Sequence, residues 1–155
     1  MKVIATNRKA KRDYQVLEKY EVGIELKGME VKSLRTKGCS LEGSFARIEG
    51  DEVYLYNMHI TEFEKASYFK VDTRRTRKLL LHKKQIKRLL GLTTQKGLTL
   101  IPLSAYFNEK GYAKVDLALA KGRRLYDKRK KIKEEIIKKE AERALKRHYR
   151  GHKNY

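Results

Sequence analysis

LTLIPLSAYF (98–107), NEKG (108–111) and YAKVDLALAK (112–121) are the stretch that decides the fold. Two apolar runs flank a polar turn at Asn108-Glu109-Lys110-Gly111, the pattern of a β-hairpin. In the returning arm Ala113, Val115, Leu117 and Leu119 face one way, while Lys114 and Asp116 face the other. That period of two describes a strand with one buried and one solvated face. Pro102, the only proline in the chain, lacks an N–H and implies an edge strand or a bulge in the outgoing arm.

Working outward, Tyr14, Val16, Tyr20, Val22, Ile24 and Leu26 share one parity, interrupted only by Glu18, and predict a second half-buried strand. Residues 45–60 predict another hairpin: FARI, a turn at Glu49-Gly50-Asp51-Glu52, then VYLYNMHI. Two short helices fit between the strands. Met29 to Thr36 carries Val31 and Leu34 at helical spacing and stops near Gly38, and Leu80 to Leu90 stops at Gly91. Five or six short strands with two brief helices predict a mainly β protein, an OB-like antiparallel barrel.

The charge is distributed unevenly. The chain has 155 residues, 39 Lys and Arg against 19 Asp and Glu, and a net charge of +20. Residues 121–155 hold 15 of the basic and 5 of the acidic side chains. The expected division is therefore an RNA-binding barrel over 1–120 and a basic tail over 121–155. A charge of this sign makes a polyanion the expected partner and excludes an acidic solvating chain. No apolar run approaches the roughly 18 residues that span a bilayer, and Met1 to Arg12 lacks the apolar core of an export signal. One cysteine, Cys39, permits no internal disulfide, so a reducing, cytoplasmic location is expected.

Tyr126 to His148 contains no Gly or Pro and is rich in helix formers. Asp127 can cap its start, and Glu134–Lys138, Glu135–Lys139 and Glu142–Lys146 are favourable pairs at i,i+4. On a helical projection Leu125, Ile132 and Ile136 share one side, but Tyr126, Ile137, Ala141 and Ala144 lie well around from it. Without a continuous apolar stripe, the tail is expected to be disordered when free and helical against an RNA or ribosome-like surface.

Motifs of catalysis are scarce. No Walker A, G-x-S-x-G or H-E-x-x-H pattern occurs. Ser67-Tyr-Phe-Lys70 matches S-x-x-K without its companion motifs, and His148 and His152 stand at i,i+4 without further metal ligands nearby. Cys39 reads as a small core or loop residue. No metal, cofactor or catalytic residue is expected.

Nucleic-acid signals are stronger. Asn7 to Arg12 (NRKAKR), Arg74 to Lys78 (RRTRK), Lys83 to Arg88 and Lys121 to Arg124 are dense in phosphate-binding side chains. Tyr14, Tyr68, Tyr106 and Tyr126 lie near enough to serve as stacking platforms. Glu21 has the opposite parity to its strand's apolar set, so it points outward. There a carboxylate accepts hydrogen bonds from base edges or ribose hydroxyls, which a lysine cannot do.

Five blocks now stand in order: NRKAKRDY (7–14), YEVGIELKGMEVKSLR (20–35), RTRKLLLH (75–82), KGLTLIPLSAYF (96–107) and AKGRRLYDKR (120–129). Together they resemble the SsrA-binding protein family, the small protein B of bacterial trans-translation. The resemblance implies an OB-like barrel that binds the tRNA-like domain of transfer-messenger RNA (tmRNA) and delivers it to stalled ribosomes for ribosome rescue and peptide tagging. It implies that Asn7, Lys9, Lys11 and Tyr14, with Glu21, Leu80 and Lys114, contact the RNA. It also implies that Lys121, Gly122, Tyr126, Asp127, Lys128 and Arg129 reach the decoding centre and messenger channel of the small subunit. Elongation factor Tu and alanyl-tRNA synthetase are implied as indirect partners, through tmRNA. One departure stands out: where the family commonly has N-H-D-P before the arginine-rich run, this chain has Phe69-Lys-Val-Asp72-Thr.

Two rivals follow from the residues. One is a general ribosomal or single-stranded RNA-binding OB protein. The other is an RNA-processing enzyme using Glu21 or Asp127.

Overall fold

A computed structural model of the chain describes residues 1–62 and 72–152, and among these the side chains of 124–131 and 148–152 are not described. Tyr68, the S-x-x-K match and most of the loop that lacks the family's proline therefore lie outside the described residues. The chain forms two compact units, Met1–Gly122 and Arg123–Tyr155.

The first unit contains nine strands and three helices among its described residues. They run β1 Lys2–Thr6, α1 Arg8–Asp13, β2 Tyr14–Ile24, α2 Gly28–Thr36, β3 Cys39–Ser40, β4 Phe45–Glu49, β5 Glu52–Tyr56, β6 His59–Ile60, β7 Arg77–Leu80, α3 Lys83–Lys96, β8 Thr99–Phe107 and β9 Ala113–Gly122. Strands β8, β4, β5, β7, β2 and β9 follow one another, and β9 pairs again with β8, closing an antiparallel barrel. β1 hangs on β8, and β3 pairs with β6 in a separate two-stranded sheet. Val22, Ile24, Val53, Leu55, Leu79, Leu100, Val115, Leu117 and Leu119 fill the interior, and Ile86 and Leu89 of α3 join them.

The 98–121 hairpin forms as its pattern requires, with Ala113, Val115, Leu117 and Leu119 in the core. The alternative left open by Pro102 resolves to a bulge, because the β8–β9 register slips between Pro102 and Ser104. A second bulge divides the β2 parity set. Val16 stands opposite Ala120, but Glu18 stands opposite Leu119, so Leu17 is the extra residue. A one-residue slip exchanges the two faces of a strand. Tyr20, Val22 and Ile24 accordingly pack into the barrel, whereas Tyr14 and Val16 pack outside it with Ala10, Ile101, Leu103 and Ala118.

Other expectations are corrected. Leu80 ends strand β7 instead of starting a helix, and α3 runs past Gly91 to Gly97, whose φ of 62° is the left-handed stop. A glycine inside a helix costs only about 1 kcal/mol relative to alanine, less than packing Leu89 and Leu92 returns. β1, α1 and β7 have no counterpart in the sequence reading, and the VYLYNMHI arm breaks at Asn57, where φ is 64°.

The second unit is one helix, α4 Arg123–His152, about 45 Å long at 1.5 Å per residue. A helix is the form that the composition of this segment favours. Helix formers and favourable charge spacing supply local stability, and its described apolar residues Ile132, Ile136, Ile137 and Leu145 are exposed.

Candidate nucleic-acid interface

Register across β7, β2, β9 and β8 builds one outward face. Leu80 stands opposite Gly23, Gly23 opposite Lys114, and Lys114 opposite Tyr106. The adjacent row runs Glu21, Asp116, Ser104. Glu21, Leu80 and Lys114, distant in sequence, thus share a surface of three neighbouring strands. Glu21 is exposed, Leu80 is 51% exposed and Lys114 is half-buried. Gly23 leaves room for this arrangement: a Cβ there would lie 3.2 Å from the Leu80 Cδ1. Sequence pattern alone offers no reason to choose Leu80. An apolar residue exposed on a strand is the signal, and it requires the pairing to be seen.

The other half of the same outer face is covered by α1. Ala10 packs on Ile101, Leu103 and Ala118, which leaves Arg8, Lys9, Lys11 and Arg12 exposed. Among the described residues none of these four has an ion-pair partner. Asn7 has a different local role. It is 5% exposed, its Nδ2 donates to the carbonyls of Leu41 (3.2 Å) and Pro102 (3.0 Å), and its Oδ1 accepts from the Ala10 N–H. Its side chain caps α1 and ties that helix to the barrel. Tyr14 is half-buried beside Ala10, on the edge of the same basic surface.

Two expectations about this chemistry fail. The RRTRK run is not a free phosphate cluster. Arg77 is fully buried, with its Nε 2.6 Å from the Glu30 Oε2 and its NH1 2.6 Å from the Met58 carbonyl. Arg75 reaches the Glu30 Oε1 at 2.5 Å, and Lys78 reaches Glu52 at 2.9 Å. Burial pushes the Glu30 carboxyl up, but the Arg75 and Lys27 N–H bonds and the charge of Arg77 outweigh it and hold it below the usual carboxylate range. Only Arg74 of the four cations in that run is exposed and without a carboxylate among the described residues. Arg88 of the next cluster is likewise tied to Glu18, which also accepts from Tyr20. Tyr106 is 6% exposed and therefore does not serve as a stacking platform.

Cys39 is half-buried in β3 opposite Ile60, and burial pushes its thiol up to about 11, which makes it an unreactive packing residue. Lys121 and Gly122 close β9, opposite Gln15 and Tyr14. Arg123 to Arg129 open α4, but the side chains of Tyr126, Asp127, Lys128 and Arg129, with those of His148 and His152, lie outside the described residues. Among the described residues no cluster of three or more His, Cys, Asp or Glu is placed to hold a metal, and no helix is long and apolar enough to cross a membrane.

Comparison with known proteins gives one consistent family. Residues 4–147 match the family described as SmpB protein. The SsrA-binding protein of Thermus thermophilus is 55% identical over 142 residues, covering 92% of this chain and 99% of that protein. That of Carboxydothermus hydrogenoformans is 53% identical over 148 residues, covering 96% and 99%. A solved structure reported as "tmRNA-SmpB: a journey to the center of the bacterial ribosome" matches with a TM-score of 0.64 and 60% identity, over 77% of this chain and 83% of that one.

Proposed function

Since the chain belongs to the SmpB protein family, we propose that the outer face of β7, β2, β9 and β8, with the basic side of α1, is where it binds tmRNA. The protein binds tmRNA and delivers it to ribosomes in trans-translation. The observation that carries the choice of face is the register that gathers Glu21, Leu80 and Lys114 beside the unpaired cations Arg8, Lys9, Lys11 and Arg12.

The chemistry is that of shape recognition. Cations on α1 and Lys114 meet phosphates, Leu80 offers an apolar contact to a base or ribose, and Glu21 accepts from an O–H or N–H donor. The RNA element is the folded tRNA-like domain, whose fixed spacing of phosphates suits a rigid barrel. Asn7 acts by holding α1 in place. The protein works by binding alone, without a catalytic residue, in the cytoplasm where ribosomes translate. Elongation factor Tu and alanyl-tRNA synthetase meet it only through tmRNA.

The second unit supplies the ribosome contact. Lys121 and Gly122 lead into α4, on which Tyr126 stacks in the decoding centre and Asp127, Lys128 and Arg129 follow it. The proposal for this segment is disorder in the free protein and a helix on the small-subunit surface. Far-UV circular dichroism of residues 121–155, alone and with ribosomal RNA, is expected to show a gain of helix.

Competition tests the reading of the barrel. The tRNA-like domain displaces unstructured RNA of equal length at fixed salt; equal competition instead identifies a general single-strand binder. Deleting residues 123–155 is expected to leave most tmRNA affinity and abolish peptide tagging. Normal tagging by the truncated protein refutes the assignment of the tail.

A further inference from the structure

Strands β4 and β8 meet through a single paired position, Ala46 opposite Leu100, whereas β8 and β9 pair along most of their length. Ala46 and Leu100 point into the core, so their neighbours Phe45, Thr99 and Ile101 point outward. Outside this narrow seam they line a hollow of about 320 Å³ against α1. Its walls are largely apolar: Ala10 and Ile101 belong to the outer cluster, and Tyr14 and Phe45 pack on that cluster half-buried. Asp13 also lines it, without an ion-pair partner among the described residues. Phe45 is already fixed in place. Its ring stacks on Tyr56, with centroids 5.4 Å apart and planes 13° from parallel, and the Tyr56 hydroxyl donates to Glu49.

A second hollow of about 320 Å³ adjoins the first and shares Asn7 and Lys9 with it. Arg8, Lys9 and Arg12 line this one, all exposed and all without ion-pair partners among the described residues, against the one carboxylate of Glu42. The buried Asn7 side chain, bonded to Leu41, Pro102 and Ala10, holds the turn of chain that separates the two hollows. Apolar walls with a fixed aromatic ring on one side, and unneutralised cations on the other, fit a ligand that is flat at one end and anionic at the other. Each hollow stands at the small end of the roughly 300–1,000 Å³ range of ligand sites, too small for a folded RNA element.

We propose that the two hollows form one site for a single unpaired nucleotide of RNA: the base lies against Phe45 and Tyr14 in the first, and its phosphate meets Arg8, Lys9 and Arg12 in the second. A paired base has its faces covered by its neighbours in the helix, so only an unstacked one enters. Asp13 accepts from an N–H of the base, a role open to a carboxylate and closed to the lysines around it. Because Phe45 is held by Tyr56 and the α1 turn by Asn7, little order is lost when the nucleotide arrives. The site lies on the β4 side of α1, away from the Glu21, Leu80 and Lys114 face, and adds a single-stranded contact to the recognition of a folded one. This inference rests on the reading of α1 as an RNA contact.

The test titrates the full chain with hexaadenylate and with a hexamer of the same ribose-phosphate backbone lacking its bases. Apparent Kd is read at the backbone amide NMR signals of Gly43 and Ser44, which line the first hollow. Stacking of one base on an aromatic ring predicts that hexaadenylate binds about tenfold tighter than the abasic strand. Both strands carry the same phosphates, so their salt slopes are equal. Phe45→Leu keeps an apolar side chain on β4 but removes the flat ring, and is expected to bring the two Kd values within about twofold. Thr99→Leu narrows the hollow from β8, leaves Phe45 in place and has the same effect; where Phe45→Leu fails to fold, it decides by the same criterion. Equal Kd for the two strands in the wild type overturns the inference, as does a base advantage that survives in either variant. A triple variant, Arg8→Ala with Lys9→Ala and Arg12→Ala, separates the site from the reading beneath it. If it binds a transcript of the tRNA-like domain as the wild type does, α1 is no RNA contact and both fall. If it binds that transcript weakly while the two hexamers bind the wild type equally, the nucleotide site alone falls.

Discussion

Glu30→Gln provides the sharpest test of how the barrel holds the face proposed to bind RNA. Glu30, 4% exposed on α2, receives the fully buried Arg77 through Nε and NH2, both at 2.6 Å, and Arg75 at 2.5 Å. Glutamine keeps the shape but removes the charge, so Arg77 is left buried with its guanidinium uncompensated. Removing one partner of a buried pair costs about 3–5 kcal/mol. Arg75 is 28% exposed and returns to water, and Met58 and Thr73 still accept from Arg77, so the lower end of that range applies. For a unit of this size about 3 kcal/mol lowers Tm by roughly 10 °C. Urea unfolding followed by tyrosine near-UV circular dichroism measures it. The double variant Glu30→Met with Arg77→Met is expected to be more stable than Glu30→Gln, since two buried charges disappear together. A Glu30→Gln loss below about 1 kcal/mol, or a double variant that costs the sum of its singles, refutes the buried-pair account. Because Arg77 opens β7 and Leu80 closes it, the same variant also weakens tmRNA binding.

Three further outcomes are expected. Asn7→Ala loses the α1 cap and leaves the Leu41 and Pro102 carbonyls short of a donor, costing about 2–3 kcal/mol in urea unfolding and lowering the salt slope of RNA binding as the α1 cations lose their placement. The Glu30 carboxyl lies below its unfolded value near 4.5, so its contribution is complete above that pH and disappears as pH falls through the lower folded value; an acid unfolding profile that Glu30→Gln leaves unaltered would contradict this. Gly23→Ala places a methyl 3.2 Å from Leu80, which must swing aside; a several-fold weaker tmRNA affinity with stability changed by less than about 1 kcal/mol is the expected signature in paired binding and unfolding measurements.

The sites divide by what kind of information a residue carries. Glu21 and Lys114 are legible as outward positions because parity within one strand is a local property. The RRTRK run misleads because a charge run records composition, and only Glu30 and Glu52, from other elements, reveal which cations are already engaged. Tyr106 reads as a stacking aromatic beside basic residues, yet the sheet buries its ring.

From the chain alone come the hairpin of 98–121, the basic excess with its concentration after residue 120, and the family blocks. These depend on alternation, charge and short motifs, which neighbouring residues specify by themselves. The tertiary structure alone decides the bulges at Leu17 and Leu103, which reverse the faces of β2 and β8, and the meeting of Leu80 with Glu21 and Lys114. Closing a barrel requires strands to shift against one another, and that shift is set by pairing between distant segments, which no local pattern contains.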